Sequence, residues 1–156
     1  MRILGIDPGS RITGYGLIES RRNQLEFIAC GTIRTAGEAN FSRRLLVIFS
    51  DISEVISSYA PEVAAVEEVF VARDPRAALK LGHARGAAVV AALHQGVEVF
   101  NYSPRRVKQT VAGYGQADKA QIQYMVRMLL RLNAAPSSDA ADALALAICH
   151  AHHSFV

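Results

Sequence analysis

Cysteine is scarce in this sequence. Cys30 and Cys149 are the two it has, and no C-x-x-C occurs. That excludes a disulfide framework and a zinc ribbon, and free thiols in a reducing compartment are the expectation. Long hydrophobic runs are missing as well. The longest, Ala87 to Leu93 and Ala143 to Cys149, fall far short of the ~20 residues a helix needs to cross a bilayer. Asp7 interrupts the apolar run at the N-terminus, so no signal peptide is expected. There are no repeats, no low-complexity tract, no interdomain linker and no phosphate loop of the G-x-x-x-x-G-K type. What remains is an ordinary globular balance, 51% hydrophobic and 20% charged. We expect one domain over residues 1–156, in the cytoplasm, with no membrane partner. The net charge of +3 points only weakly to a polyanionic partner.

The stretch that organises the chain is Met1-Arg2-Ile3-Leu4-Gly5-Ile6-Asp7-Pro8-Gly9-Ser10. Ile3, Leu4 and Ile6 have no helical period and read as a buried strand that ends in Asp7, with a Pro-Gly turn behind it. Thr13 to Glu19 and Gln24 to Arg34 read as two more strands. Their short polar connections predict a three-stranded antiparallel meander. Gly9, Gly14 and Gly16 fit either close approach of a phosphate backbone or strand-end punctuation. Phe41 to Tyr59 has helical spacing and is closed by Pro61. Glu62 to Glu67 reads as a fourth strand, again ending in an acid. Asp74-Pro75 opens a helix that runs to about Gln95, with small residues around Gly82 and Gly86 that suit a dimer contact or tight packing on the sheet. Val97 to Phe100 is a fifth strand. Ser103-Pro104 opens a short helix, Asp118 caps another with a buried face from Ile122 to Leu132, and Asp139 to about His152 is the last. Strands and helices alternate after the meander, so the fold class is α/β with a mixed sheet.

Four acids stand out. Asp7 alone fits an Asx-turn as well as a ligand position. Asp139 and Asp142 are three apart, so they share one face near the start of a helix that is otherwise Ala, Leu and Ile. Capping acids are the alternative there. Parallel neighbouring strands would bring Asp7 and Glu67 to one end of the sheet, and the last helix would add the other two. Four carboxylates together repel unless cations hold them, and Mg²⁺ or Mn²⁺, two per subunit, are the natural fillers. Such a pair clamps the attacking and leaving oxygens of a phosphodiester. Glu68 lies beside Glu67, and periodicity does not say which of them faces the site.

Five stretches resemble the RuvC family of Holliday junction resolvases. They are Ile6 to Arg11 with Thr13 to Gly16, Val66 to Phe70, Ala78 to Gly82 with Ala84 to Gly86, Val107 to Val111, and Asp139 to Leu144. The match runs in order along nearly the whole chain. The resemblance implies a ribonuclease H-like fold: a five-stranded mixed sheet, antiparallel over strands 1–3 and parallel in strands 4 and 5, with helices on both faces. It implies a homodimeric, Mg²⁺-dependent endodeoxyribonuclease that makes paired nicks in four-way junction DNA during recombination and repair. It also implies association with the RuvA–RuvB branch-migration complex. The family's acids map to Asp7, Glu67, Asp139 and Asp142, its site-flanking cations to Lys108 and Lys119, and a base-stacking aromatic to Phe70. Some relatives carry a histidine in the last acidic motif; this chain has Asp139 there.

Arg73, Arg76, Lys80, Arg85, Arg105 and Arg106 suit a phosphate track as a group, with Arg76, Lys80 and Arg85 expected as DNA contacts. Tyr102 and Tyr114 fit stacking on unpaired bases, but core or loop packing is the expectation for both. Cys149, His150, His152 and His153 fan out around a helix and read as its polar end. Three other functions share some of these features. A sugar-kinase or actin-like phosphotransferase shares the strand-Asp-x-Gly opening but needs two such domains. A silent junction binder has no use for buried carboxylates facing phosphate. A ribonuclease H-like nuclease acting on RNA fits the residues themselves.

Overall fold

The computed structural model describes residues 1–22, 24–69 and 74–154. Its elements are β1 (Arg2–Asp7), β2 (Ile12–Arg21), β3 (Gln24–Arg34), α1 (Phe41–Tyr59), β4 (Val63–Glu67), α2 (Pro75–His94), β5 (Glu98–Tyr102), α3 (Pro104–Ala112), α4 (Lys119–Leu129) and α5 (Ser138–His153). The sheet has the order β3-β2-β1-β4-β5. Strands β1, β2 and β3 are antiparallel, and β4 and β5 run parallel to β1. The expected mixed sheet is therefore present.

Alternation along β1 separates two cores. Leu4 and Ile6 point to one face and pack with Leu17, Ala64 and Val66 against Ile48 and Ile52 of α1 and Ala88 and Ala91 of α2. Ile3 points to the other face, where Ile18 and Ala65 meet α3, α4 and above all α5. Helix α5 is apolar nearly all round because it lies between the sheet on one side and α3 and α4 on the other.

The helix starts follow the sequence signals. Asn40, Asp74, Ser103 and Asp118 each cap a helix by accepting a backbone N–H. Two boundaries differ from expectation. Helix α4 stops at Leu129, because Arg131 takes a left-handed conformation at φ 54°. Leu132 reaches the core from beyond the helix. Helix α5 is capped by Ser137, whose hydroxyl accepts from the Ala140 N–H at 3.3 Å.

Three glycines let α5 sit directly on the sheet. A Cβ at Gly5 would lie 1.8 Å from the Ala143 carbonyl oxygen, and one at Gly14 would lie 2.1 Å from that of Asp139. A Cβ at Gly16 would meet the Leu144 side chain at 2.6 Å. Gly5 pairs with Gly16 across β1 and β2, and Asp7 pairs with Gly14. The sheet thus has a backbone-lined trough that receives the helix. Gly14 and Gly16 serve this packing, and neither reading made of them from the sequence is what the structure shows.

Candidate active site

The register places Ile6 of β1 beside Val66 of β4, so Asp7 and Glu67 end neighbouring parallel strands one step further on. Val66 faces α1 and α2 while Ala65 faces α5. Alternation then turns Glu67 toward α5, and the sequence ambiguity between Glu67 and Glu68 is resolved for Glu67. Glu68 is exposed. The trough brings the first turns of α5, with Asp139 and Asp142, down over the same strand ends.

Residues other than these acids tie the adjoining turn and helix start. Ser137, not an acid, caps α5. The turn after Asp7 is tied by Thr13, whose hydroxyl donates to the Gly9 carbonyl at 3.0 Å and accepts from the Gly9 N–H at 3.3 Å.

Electrostatics shows the convergence. Burial, then the charges of Glu67, Asp142 and Asp139, push the Asp7 carboxyl up to about 8, with Lys119 opposing them. Glu67 is raised by burial and by Asp142, against a hydrogen bond with the Asp7 carboxyl and the charges of Lys108 and Lys119. Asp142 is raised by burial and, after the opposing pull of Lys119, by Asp139, with Lys108 also opposing. The structure therefore gathers all four expected acids, with both expected lysines in range of them. Lys108 lies half-buried on α3, and Lys119 is exposed at the start of α4.

Hard divalent cations fit this donor set, because it is all carboxylate and each proton held at Asp7 marks charge that lacks a counterion. Among the described residues, no three Asp, Glu, His or Cys side chains stand close enough together to hold an ion between them.

Residues 3–150 match the family model described as crossover junction endodeoxyribonuclease RuvC. The chain belongs to the RuvC family. It is 56% identical over 152 residues to a Serratia proteamaculans protein of that name, covering 97% of this chain and 87% of the relative. The corresponding Legionella pneumophila protein (strain Philadelphia 1) is 52% identical over 150 residues, covering 96% and 86%. Among solved structures, Thermus thermophilus RuvC in complex with Holliday junction substrate superposes with a TM-score of 0.92. That match has 38% identity and covers 99% of this chain and 94% of the other. A yeast mitochondrial Holliday junction resolvase shares the fold at a TM-score of 0.68 and 11% identity, covering 96% and 78%.

Other sequence-predicted residues are distributed less simply in this RuvC-family chain. Arg76 and Lys80 are exposed on α2. Phe70 and Arg73 lie outside the described residues. Arg85 is engaged within the protein: its Nε donates to the Glu67 carbonyl at 2.9 Å and its terminal nitrogen to the Asn101 side chain. Tyr102 is buried, and Tyr114 lies 46% exposed in the loop between α3 and α4. The end of α5 is polar only in part: His152 is exposed and His153 half-buried. Cys149 and His150 are buried, and the Tyr102 hydroxyl and His150 Nδ1 share a hydrogen bond of 2.7 Å. Sequence reasoning missed Gly5 as the seat of α5. Its signal was there to be used, as a glycine in the middle of a strand often marks close approach of another backbone.

No described helix is long and apolar enough to cross a membrane.

Proposed function

We propose that this chain is a crossover junction endodeoxyribonuclease that resolves four-way DNA junctions by metal-dependent phosphodiester hydrolysis. The observation that carries the reading is the convergence of Asp7, Glu67, Asp139 and Asp142 under one field strong enough to push Asp7 to about 8. The match to a RuvC solved with junction substrate supports the choice of DNA junction over RNA. One folded unit over residues 1–156 would carry the whole site.

Asp7, Glu67, Asp139 and Asp142 would hold two Mg²⁺ ions, with Mn²⁺ as a substitute. Bound there, the ions supply a hydroxide nucleophile at neutral pH and neutralise charge on the leaving oxygen. Water adds its oxygen to phosphorus, the bond from phosphorus to the 3′-oxygen breaks, and the 3′-oxygen takes up a proton. The products are a 5′-phosphate and a 3′-hydroxyl. Asp7, whose carboxyl is raised by burial and by the other acids, would take a cation in place of its proton. Lys108 and Lys119 flank the acids and stabilise charge on the phosphate in the transition state. Arg76 and Lys80, exposed at the start of α2, contact flanking phosphates, and Phe70 stacks on a base near the crossover.

A second copy of the chain completes the enzyme. Leu79, Val90 and Leu93 are exposed on α2 with relative accessibilities of 64, 56 and 55%. Gly82 and Gly86 lie between them in sequence, and a Cβ at either would meet nothing within 4 Å. Positions 79, 82, 86, 90 and 93 share one helical face. Pairing two chains on that face gives two-fold symmetry to match the two-fold symmetry of a junction. RuvA and RuvB are the expected companions in the cytoplasm.

The test is cleavage of a synthetic four-way junction with Mg²⁺ beside a linear duplex of the same sequence. Paired nicks in the junction alone, lost in Asp7→Asn while junction binding persists, support the reading. Equal cutting of the duplex or of an RNA hybrid overturns it.

A further inference from the structure

Arg85 suits a phosphate track by sequence, and the structure gives it another task. Strand β4 ends at Glu67, where the parallel ladder with β5 runs out. Its last rung is the Glu68 N–H donating to the Tyr102 carbonyl at 2.9 Å. At that point Arg85 reaches across from α2. Its Nε donates to the Glu67 carbonyl, and its terminal nitrogen donates to Asn101 Oδ1. Asn101 pairs with Val66, so it faces the α2 side of the sheet. The guanidinium therefore grips the strand ends from the face opposite to the acids.

We infer that Arg85 is a positioning residue: it fixes the backbone of Glu67, through that carbonyl and Asn101, so that the Glu67 carboxylate stays aimed at Asp7 and Asp142. The inference rests on the reading of Glu67 as a metal-binding acid. Three features support it. A strand-end carbonyl needs a donor, and Arg85 supplies one. The planar fork of arginine spans two acceptors on two strands, which the single ammonium of lysine does not do in the same geometry. Glu67 is also the last residue of its strand, and among the described residues the Glu68 rung and this clamp hold its backbone there. A displacement of about 1 Å at a reacting group can cost about 100-fold in rate, so a partial loosening is expected to show first in turnover.

The experiment compares wild type with Arg85→Ala, Arg85→Lys and Asn101→Ala by four readouts. These are the single-turnover cleavage rate at saturating protein, junction Kd across a salt series, amide hydrogen exchange at Glu68, and the melting temperature. A positioning role predicts that Arg85→Ala slows cleavage about tenfold or more. Junction Kd stays within about twofold, the salt slope is unchanged, and the Glu68 amide exchanges faster. Asn101→Ala gives a smaller loss of the same kind. Arg85→Lys, which keeps the charge, shares the rate loss. A phosphate contact predicts the reverse: weaker junction binding, a salt slope shallower by about 0.9, and an unaltered rate at saturation. That result overturns the inference, as does full wild-type rate and Glu68 protection in Arg85→Lys. Should wild type fail to cut junctions, the functional reading falls, and Glu68 exchange still decides whether Arg85 holds the strand end.

Discussion

Replacing Asp7 by asparagine is expected to stabilise the protein when no divalent cation is present. The Asp7 carboxyl moves from 3.8 to about 8 on folding, chiefly through burial and then through Glu67, Asp142 and Asp139. A carboxyl whose pKa is raised in the folded chain binds its proton more tightly there than in the unfolded chain. Its contribution to stability is fully present at acid pH and drains away as pH climbs from about 4 through about 8. Between pH 5 and pH 8 that span is about three units, or about 4 kcal/mol at about 1.4 kcal/mol per unit. Relaxation of the neighbouring acids and entry of water take up part of it, leaving about 2 kcal/mol. Asparagine is close in size and carries no charge, so it escapes this loss. Thermal melts in EDTA at pH 5 and pH 8 make the measurement. The gap between Asp7→Asn and wild type is expected to widen with pH, reaching about 4–8 °C in favour of the variant at pH 8. Mg²⁺ is expected to raise the wild type more than the variant and to close that gap. A variant that melts below wild type in EDTA at pH 8, or a gap indifferent to pH, would refute the reasoning.

Four further outcomes can be checked. Gly5→Ala puts a Cβ 1.8 Å from the Ala143 carbonyl oxygen and forces α5 off the sheet; a loss of about 3 kcal/mol and of cleavage together is expected in melts and junction assays. Lys119→Ala removes a charge that lowers Asp7, Glu67 and Asp142, so the cleavage rate falls about tenfold or more and the acid limb of its pH profile moves upward. Val90→Glu on the exposed face of α2 is expected to yield a folded monomer by sedimentation, with single nicks replacing paired ones. Tyr102→Phe strips His150 of its buried partner at 2.7 Å and is expected to cost about 1–3 kcal/mol by denaturant unfolding.

The fold was legible because each element carries a local signal. Asp74, Ser103 and Asp118 precede helices and do cap them, and strand ends fall near Asp7 and Glu67 as the apolar runs imply. The four acids were legible because carboxylates at the ends of apolar segments have few structural uses. What the sequence did not disclose is cross-element. Glycines at 5, 14 and 16 look like punctuation until β1 and β2 are paired in register and α5 is laid over them. Arg85 looks like any other surface cation until the unpaired carbonyl at the end of β4 is located. His150 looks like part of a polar tail until Tyr102 arrives from β5, and the polarity of a residue does not report which neighbour burial will bring.

The seating of α5 in the glycine trough also has a consequence in time. The four acids come from residues 7, 67, 139 and 142, and two of them ride on the last element. A nascent chain that has emerged only through α4 has the sheet, Asp7 and Glu67, but not the helix that supplies the other half of the cluster. Assembly of the four-acid cluster therefore waits until α5 has been made and has docked. Chains cut short by stalled translation or by a premature stop before Asp139 hold no complete set of acids.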